Sequence, residues 1–171
     1  MSADDDEYKR VYSRALAMVA ARARSTSGLR KKLIDKGESP AIVDRVIARL
    51  VEQRFVDDRA FAAAKARSAV AKGRSSRRAA MEVAHAGVDR AVAKAVVEEA
   101  LDERGEDEIA LCTRAAQKKV RSYASLDRAE RRRKLYGFLA RQGFSSDAIK
   151  KALAKVLDAP SADDEEIESD P

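Results

Sequence analysis

Apolar residues recur at three- and four-residue spacing along most of the chain, the period of a helix with one buried stripe. Val11, Ala15, Met18, Val19 and Arg22 fit that spacing and predict a helix over about residues 7–24. Ser25-Thr26-Ser27-Gly28 breaks it and caps a second helix, which carries Leu29 and Leu33 inward and stops at Gly37. Ser39-Pro40 then reads as an N-cap followed by proline at the first helical position. Behind it, Ile42/Val43, Val46/Ile47 and Leu50/Val51 form one stripe.

The same grammar returns twice. Asp57-Asp58 opens a helix with Phe61, Ala64 (or Lys65) and Ser68 down one side, Gly73 stops it, and Ser75 or Ser76 caps the next. Val92, Ala95/Val96 and Ala100/Leu101 repeat the third stripe behind Gly87 and the cap Asp89. Ala148/Ile149, Ala152/Leu153 and Val156/Leu157 repeat it behind Gly143 and the cap Ser145 or Ser146. Leu33, Val83 and Leu139 each stand four residues before their glycine, and Ile42, Val92 and Ala148 five after it. Agreement at independent positions predicts three tandem three-helix repeats, each too small to bury much surface alone. The expected organisation is a mobile acidic opening (1–6), repeats over 7–54, 55–104 and 105–157, and a disordered acidic tail (158–171). The glycine offset grows from 50 to 56, whereas Asp57 and Asp107 keep 50. Six extra residues therefore fall between Asp107 and Leu139, most economically at the start of the third repeat's middle helix, near residues 126–133.

Composition supports an all-α class. The 171 residues contain three prolines, at 40, 160 and 171, and Ala, Arg, Lys and Glu dominate. Much of the apolar content is alanine and tryptophan is absent, which favours an extended body over a deep globule. The lone Cys112 cannot staple the chain, and no signal peptide or long apolar run is present, so a reducing, cytoplasmic setting is expected.

Charge changes the picture more. The formal net charge is +6, but all 35 Lys and Arg lie within residues 8–157, against 18 of the 29 acids. The remaining acids crowd the two ends. A body that basic attracts a polyanion or an acidic protein surface.

Little in the chain suggests catalysis. No phosphate loop, zinc spacing or nucleophile elbow occurs, and no cofactor, metal, membrane or small-molecule substrate is expected. His85 reads as structural or surface, Cys112 as a small buried hydrophobe, and Asp57-Asp58 as helix-start carboxylates. The aromatics read by default as core, with only Tyr123 and Tyr136 as candidates for stacking, which argues against a base-stacking platform. The candidate binding residues are basic and cluster where first and second helices of a repeat meet. They are Arg24, Arg30, Lys31 and Lys32 at the first such junction. At the second they are Lys65, Arg67, Lys72, Arg74, Arg77 and Arg78. At the third they are Lys118, Lys119, Arg121, Arg128, Arg131, Arg132, Arg133 and Lys134. A solvated helix face would explain any one of them; the recurrence favours a long, periodic, negative partner.

The stretches FVDDRAFA (55–62) and GRSSRRAAMEVAHAGV (73–88) resemble the central signature of the RecX family, regulators of the RecA recombinase. LRKKLIDKG (29–37) resembles its first unit and KLYGFLARQGFSSDAI (134–149) its third. Two departures stand out: Gln53-Arg54 where a glycine is usual, and Val83 where leucine is usual. The resemblance implies a curved array of helical repeats without catalytic activity. Such an array lodges in the groove of RecA filaments on single-stranded DNA and hinders ATP hydrolysis, strand exchange and coprotease activity. Some members bind DNA directly, which is the alternative function.

Overall fold

The computed structural model describes residues 3–157. Among them are nine α-helices and no strand: α1 Ala3–Ala21, α2 Thr26–Ile34, α3 Pro40–Glu52, α4 Asp58–Ala71, α5 Ser76–Ala84, α6 Arg90–Asp102, α7 Glu108–Val120, α8 Arg128–Arg141 and α9 Ser146–Leu157. A short 3₁₀ turn, Arg121–Tyr123, follows α7. The starts of α2 and α5, of α3 and α6, and of α4 and α7 are each 50 residues apart, so the helices follow the repeat read from the glycines. Gly37, Gly87 and Gly143 all hold left-handed backbone (φ 84°, 87° and 91°), a conformation that costs a residue with a Cβ about 1–2 kcal/mol.

Local chemistry sets the helix starts. Ser25 Oγ accepts from Gly28 N (3.0 Å), Ser75 Oγ from Arg78 N (3.1 Å), and Ser145 Oγ from Ala148 N (3.2 Å). Asp57, Asp89, Asp107 and Asp127 cap α4, α6, α7 and α8 through their carboxylates. Ser39 makes no side-chain cap bond, and Pro40 alone marks the start of α3.

The described residues resolve into two compact units, one formed by those up to 69 with 79–100, the other by 70–78 with those from 101 to 157. In the first, α1, α2 and α3 close around Val11, Ala15, Leu29, Leu33, Ile42, Val43, Val46, Ile47 and Leu50. In the second, α7, α8 and α9 bury Leu111, Cys112, Leu135, Leu139, Ile149 and Leu153. The middle repeat, cut by the boundary, buries mainly small side chains: Ala62, Ala66, Ala69, Ala79, Ala93 and Ala100, with Val70, Val83, Val96 and Val97. Alanine buries three carbons fewer than leucine, at about 0.8 kcal/mol per buried CH₂. The middle repeat therefore draws the least stability from its own core.

Several expectations need correction. The acidic opening is helical from Ala3, because Asp4 pairs with Arg45 of α3 (2.8 Å) and acids suit a helix N-terminus. The first helix ends at Ala21, and Arg22 is exposed rather than on the inner stripe. On α4 the buried stripe is Ala62, Ala66, Ala69 and Val70, one position on from the expected one, and Ser68 is exposed. Phe55 is 49% exposed rather than core, and Tyr136, one of the two aromatics open to a stacking role, is 37% exposed. The six-residue insertion does lie where expected: α8 has 14 residues against 9 in α5, and the segment before it holds the 3₁₀ turn. The acidic tail lies outside the described residues.

Candidate functional site

A hydrogen-bonded joint between neighbouring repeats positions the basic helices, and it is built twice from equivalent residues. In the first unit, Ser25 Oγ donates to Ala86 O, while Asp58 takes both Thr26 N (2.7 Å) and Thr26 Oγ1 (2.6 Å). In the second unit, Ser75 N donates to Gln142 O (3.1 Å) and Ser76 N donates to Glu108 (3.2 Å). Ser75, Ser76 and Glu108 follow Ser25, Thr26 and Asp58 by 50 residues. Gln142 follows Ala86 by 56, the insertion included. The left-handed glycines allow the close approach: a Cβ on Gly87 would sit 2.8 Å from Ser27 Cβ, and one on Gly143 2.7 Å from Ser75 Oγ. Gly37 has nothing within 4 Å. Asp58 is therefore a clasp to the previous repeat, while Asp57 does the capping that was expected of both.

Two of the bases that the sequence assigned to binding also hold the second joint. Arg74 Nη1 donates to the Gln142 side chain and Arg78 Nη1 to Arg141 O. Arg114 holds Glu106 with two hydrogen bonds (2.6 and 2.9 Å) and donates to Val70 O (3.0 Å) at the end of α4. Hydrogen bonding from Arg114, against the cost of burial, keeps the Glu106 carboxyl below its ordinary range, with Arg104 assisting. In the third cluster Arg131 donates to Tyr123 O, Ala124 O and Leu126 O, fastening the turn that precedes α8. Lys119 rests over the Tyr123 and Phe138 rings at 5.2 and 5.8 Å.

Other expected binders face solvent. Arg30 is exposed but shares both carboxylate oxygens of Asp44 (2.7 and 3.2 Å), which raises the guanidinium pKa and lowers that of Asp44. Arg133 and Lys134 lie near Glu130 at 3.9 and 3.8 Å, distances that hold little energy at a surface. Arg67 and Arg128 are exposed. Arg24 is half-buried, its Nε meeting no acceptor among the described residues. Lys31, Lys32, Lys65, Lys72, Arg77, Lys118, Arg121 and Arg132 make no ion pair among the described residues, and all but the half-buried Lys65 are exposed. Lys65 and Arg67 belong to the first unit, and Lys72 onward to the second.

The sequence reading missed three bases on α9: Lys150, Lys151 and Lys155. They are exposed opposite the buried stripe Ala148, Ile149, Ala152 and Leu153, and make no ion pair among the described residues. Helical spacing alone would have found them; they lie away from the junctions that drew attention.

Catalytic groups do not gather here. His85 is exposed, and Cys112 is buried in the second unit, where burial, then the Glu108 charge, pushes its thiol up to about 12. Among the described residues no cluster of His, Cys, Asp or Glu could hold a metal, and no helix is long and apolar enough to cross a membrane.

Comparison with known proteins agrees with this architecture. The family description "RecX, first three-helix domain" matches residues 12–50, and "RecX, third three-helix domain" matches 106–153. Regulatory protein RecX of Pelodictyon phaeoclathratiforme is 36% identical over 152 residues, covering 89% of this chain and 91% of its own. Regulatory protein RecX of Chlorobaculum tepidum is 31% identical over 171 residues, covering 96% and 99%. The crystal structure of RecX from Lactobacillus salivarius shares the fold with a TM-score of 0.73 at 17% identity, covering 89% of this chain and 97% of that one. Those relatives are named for regulation rather than for a reaction. With helical repeats matched at both ends and sequence kinship along most of its length, the chain belongs to the RecX family, a regulatory and non-catalytic one.

Proposed function

We propose that this chain is a cytoplasmic regulator of the RecA recombinase that lodges in the groove of RecA filaments on single-stranded DNA. It restrains ATP hydrolysis, strand exchange and coprotease activity there, and so modulates DNA repair. Family membership supports the choice of RecA. The observation that carries the binding mode is that the second helix of every repeat keeps exposed bases with no ion pair among the described residues: Lys31 and Lys32 on α2, Arg77 on α5, Arg132 on α8.

Bases repeated at the interval of a structural module suit a partner that is itself periodic and acidic. Several weak contacts along one body add through effective concentration, so the complex can hold tightly while each contact stays weak. Bridging successive protomers would resist the movements that hydrolysis and extension need.

The test is the DNA-dependent ATPase rate of RecA against added protein, at fixed salt. A rate that falls toward a plateau at substoichiometric protein is expected, and an unchanged rate rejects the reading. Comparing binding to bare and RecA-coated single strands separates the alternative. A direct DNA binder would prefer the bare strand and lose affinity steeply with salt.

A further inference from the structure

The joint between repeats has two unlike faces. One repeat offers a serine-capped loop, at Ser25-Thr26 or Ser75-Ser76. The next offers a carbonyl acceptor before a left-handed glycine, with a carboxylate on its first helix: Gly87 with Asp58, or Gly143 with Glu108. Two faces are left over among the described residues, the glycine face of the first repeat and the serine face of the third. We propose that each is closed by residues of its own repeat, so that a second copy of this chain cannot continue the series from either.

The glycine face of the first repeat keeps Gly37, left-handed at φ 84°, with nothing within 4 Å of a Cβ placed there. Its carboxylate is gone. Tyr8 stands 50 residues before Asp58. Its half-buried ring stacks on Tyr12 at 6.2 Å and lies under the Arg45 guanidinium at 5.1 Å. A phenol held in this way brings no charge to a hydroxyl on another chain. Glu38 likewise stands 50 before Val88, and Phe144 stands 56 after Val88. Where those two bury apolar side chains, Glu38 buries a carboxylate that takes two hydrogen bonds from Arg10 (3.0 and 2.8 Å) and one from Arg14. The residues 50 after Arg10 and Arg14 are Ala60 and Ala64, so the middle repeat has no such triad. Both oxygens of Glu38 are served from within the repeat, and pulling them from the arginines would leave a buried charge unpaired.

The serine face of the third repeat is built over. Arg131 and Arg132 stand 56 after Ser75 and Ser76, but they lie inside α8 rather than in a loop. Ser75 N donates to Gln142 O, whereas Arg131 N is spent on Asp127 O (2.9 Å). The Arg131 side chain meanwhile holds Tyr123 O, Ala124 O and Leu126 O of the segment in front. The donors that a following glycine loop would take up are therefore replaced or already used.

Open, complementary faces on one chain form a head-to-tail contact, which runs on into filaments unless it closes into a ring. Repeat proteins avoid this with polar terminal modules. Here the closure acts on the joint itself. It goes beyond the filament reading and does not depend on it.

The experiment reads mass against concentration by sedimentation, from about 1 μM to about 1 mM, a range that covers weak and moderate association. The wild-type chain should keep the mass of one chain throughout. A wild-type mass that rises with concentration and falls back in Gly37→Ala overturns the proposal, without any engineered opening. Two variants open one face each: residues 72–76 put in place of residues 122–132, and Tyr8→Asp combined with Glu38→Val. Circular dichroism confirms that each remains helical. Alone, each should stay single. Mixed, they should form a one-to-one pair and nothing larger. Combined in one chain, they should give masses that grow with concentration, and adding Gly37→Ala should abolish the growth, since a Cβ on the seated Gly87 would lie 2.8 Å from Ser27 Cβ. Helical variants that stay single when mixed and when combined overturn the proposal. No readout contains RecA or DNA, so failure here is distinct from failure of the filament reading.

Discussion

Arg54 holds left-handed backbone (φ 59°) at the end of α3, with its N–H bonded to Val51 O and that of Phe55 to Leu50 O. The end of α6 makes the same turn, and there the residue is Gly105 (φ 60°), with open space for 4 Å around the place a Cβ would take. An arginine in this conformation carries a steric cost of about 1–2 kcal/mol. Arg54→Gly should therefore stabilise the fold by about 1 kcal/mol after its greater unfolded-state freedom is allowed for, seen as a higher urea midpoint. Cys112 gives a second test at the same scale. An unfolded thiol ionises near 9, whereas the buried one stays protonated to about 12. Alkali in that window favours the unfolded chain, so stability contributed by the neutral thiol is full below pH 9 and is lost as pH climbs toward 12. Cys112→Val should flatten this part of the stability profile, and native Cys112 should resist iodoacetamide until the protein is denatured.

At the scale of elements, the joints decide how much a glycine matters. Gly37→Ala meets only the backbone cost, about 1–2 kcal/mol, since nothing lies near it. Gly87→Ala and Gly143→Ala add a collision with the preceding repeat and should cost about 1–3 kcal/mol more, measured by chemical denaturation. Asp58→Ala removes two short hydrogen bonds and leaves Thr26 N without its partner, a loss of about 2–3 kcal/mol. Glu108→Ala, losing one bond of 3.2 Å at the equivalent place, should cost less. Much of this framework was legible in the sequence: the three glycines, the Leu33–Val83–Leu139 correspondence and the site of the insertion all follow from spacing. Asp58 was not, because a carboxylate at a helix start explains itself locally. Only the long-range partner, Thr26, shows that it reaches the previous repeat.

For the whole molecule, the question is which bases are available to a partner. Sequence clustering counted Arg74, Arg78 and Arg131 with the binding residues, since charge can be read from a string but a carbonyl acceptor cannot. It passed over Lys150, Lys151 and Lys155 because they stand away from the helix junctions. Two neighbouring arginines on α8 separate the roles. Arg131→Ala frees three backbone carbonyls and should lower the thermal midpoint. Arg132→Glu should leave the midpoint nearly unchanged while weakening the proposed restraint of the RecA ATPase, because Arg132 is exposed and makes no ion pair among the described residues. If both variants shift the midpoint equally and neither changes the ATPase curve, the exposed bases of α8 are not part of the interface.

The doubled joint makes the number of repeats in this protein an adjustable quantity. The middle repeat carries both complementary ends: Gly87 and Ala86 that seat against a serine-capped loop, and Ser75 and Ser76 that offer one. Splicing in a second copy of residues 58–107 would join like to like at the new seam, and a four-repeat chain should fold with cooperative melting. Modules would then be added one at a time, through gene duplication rather than through the invention of new contacts.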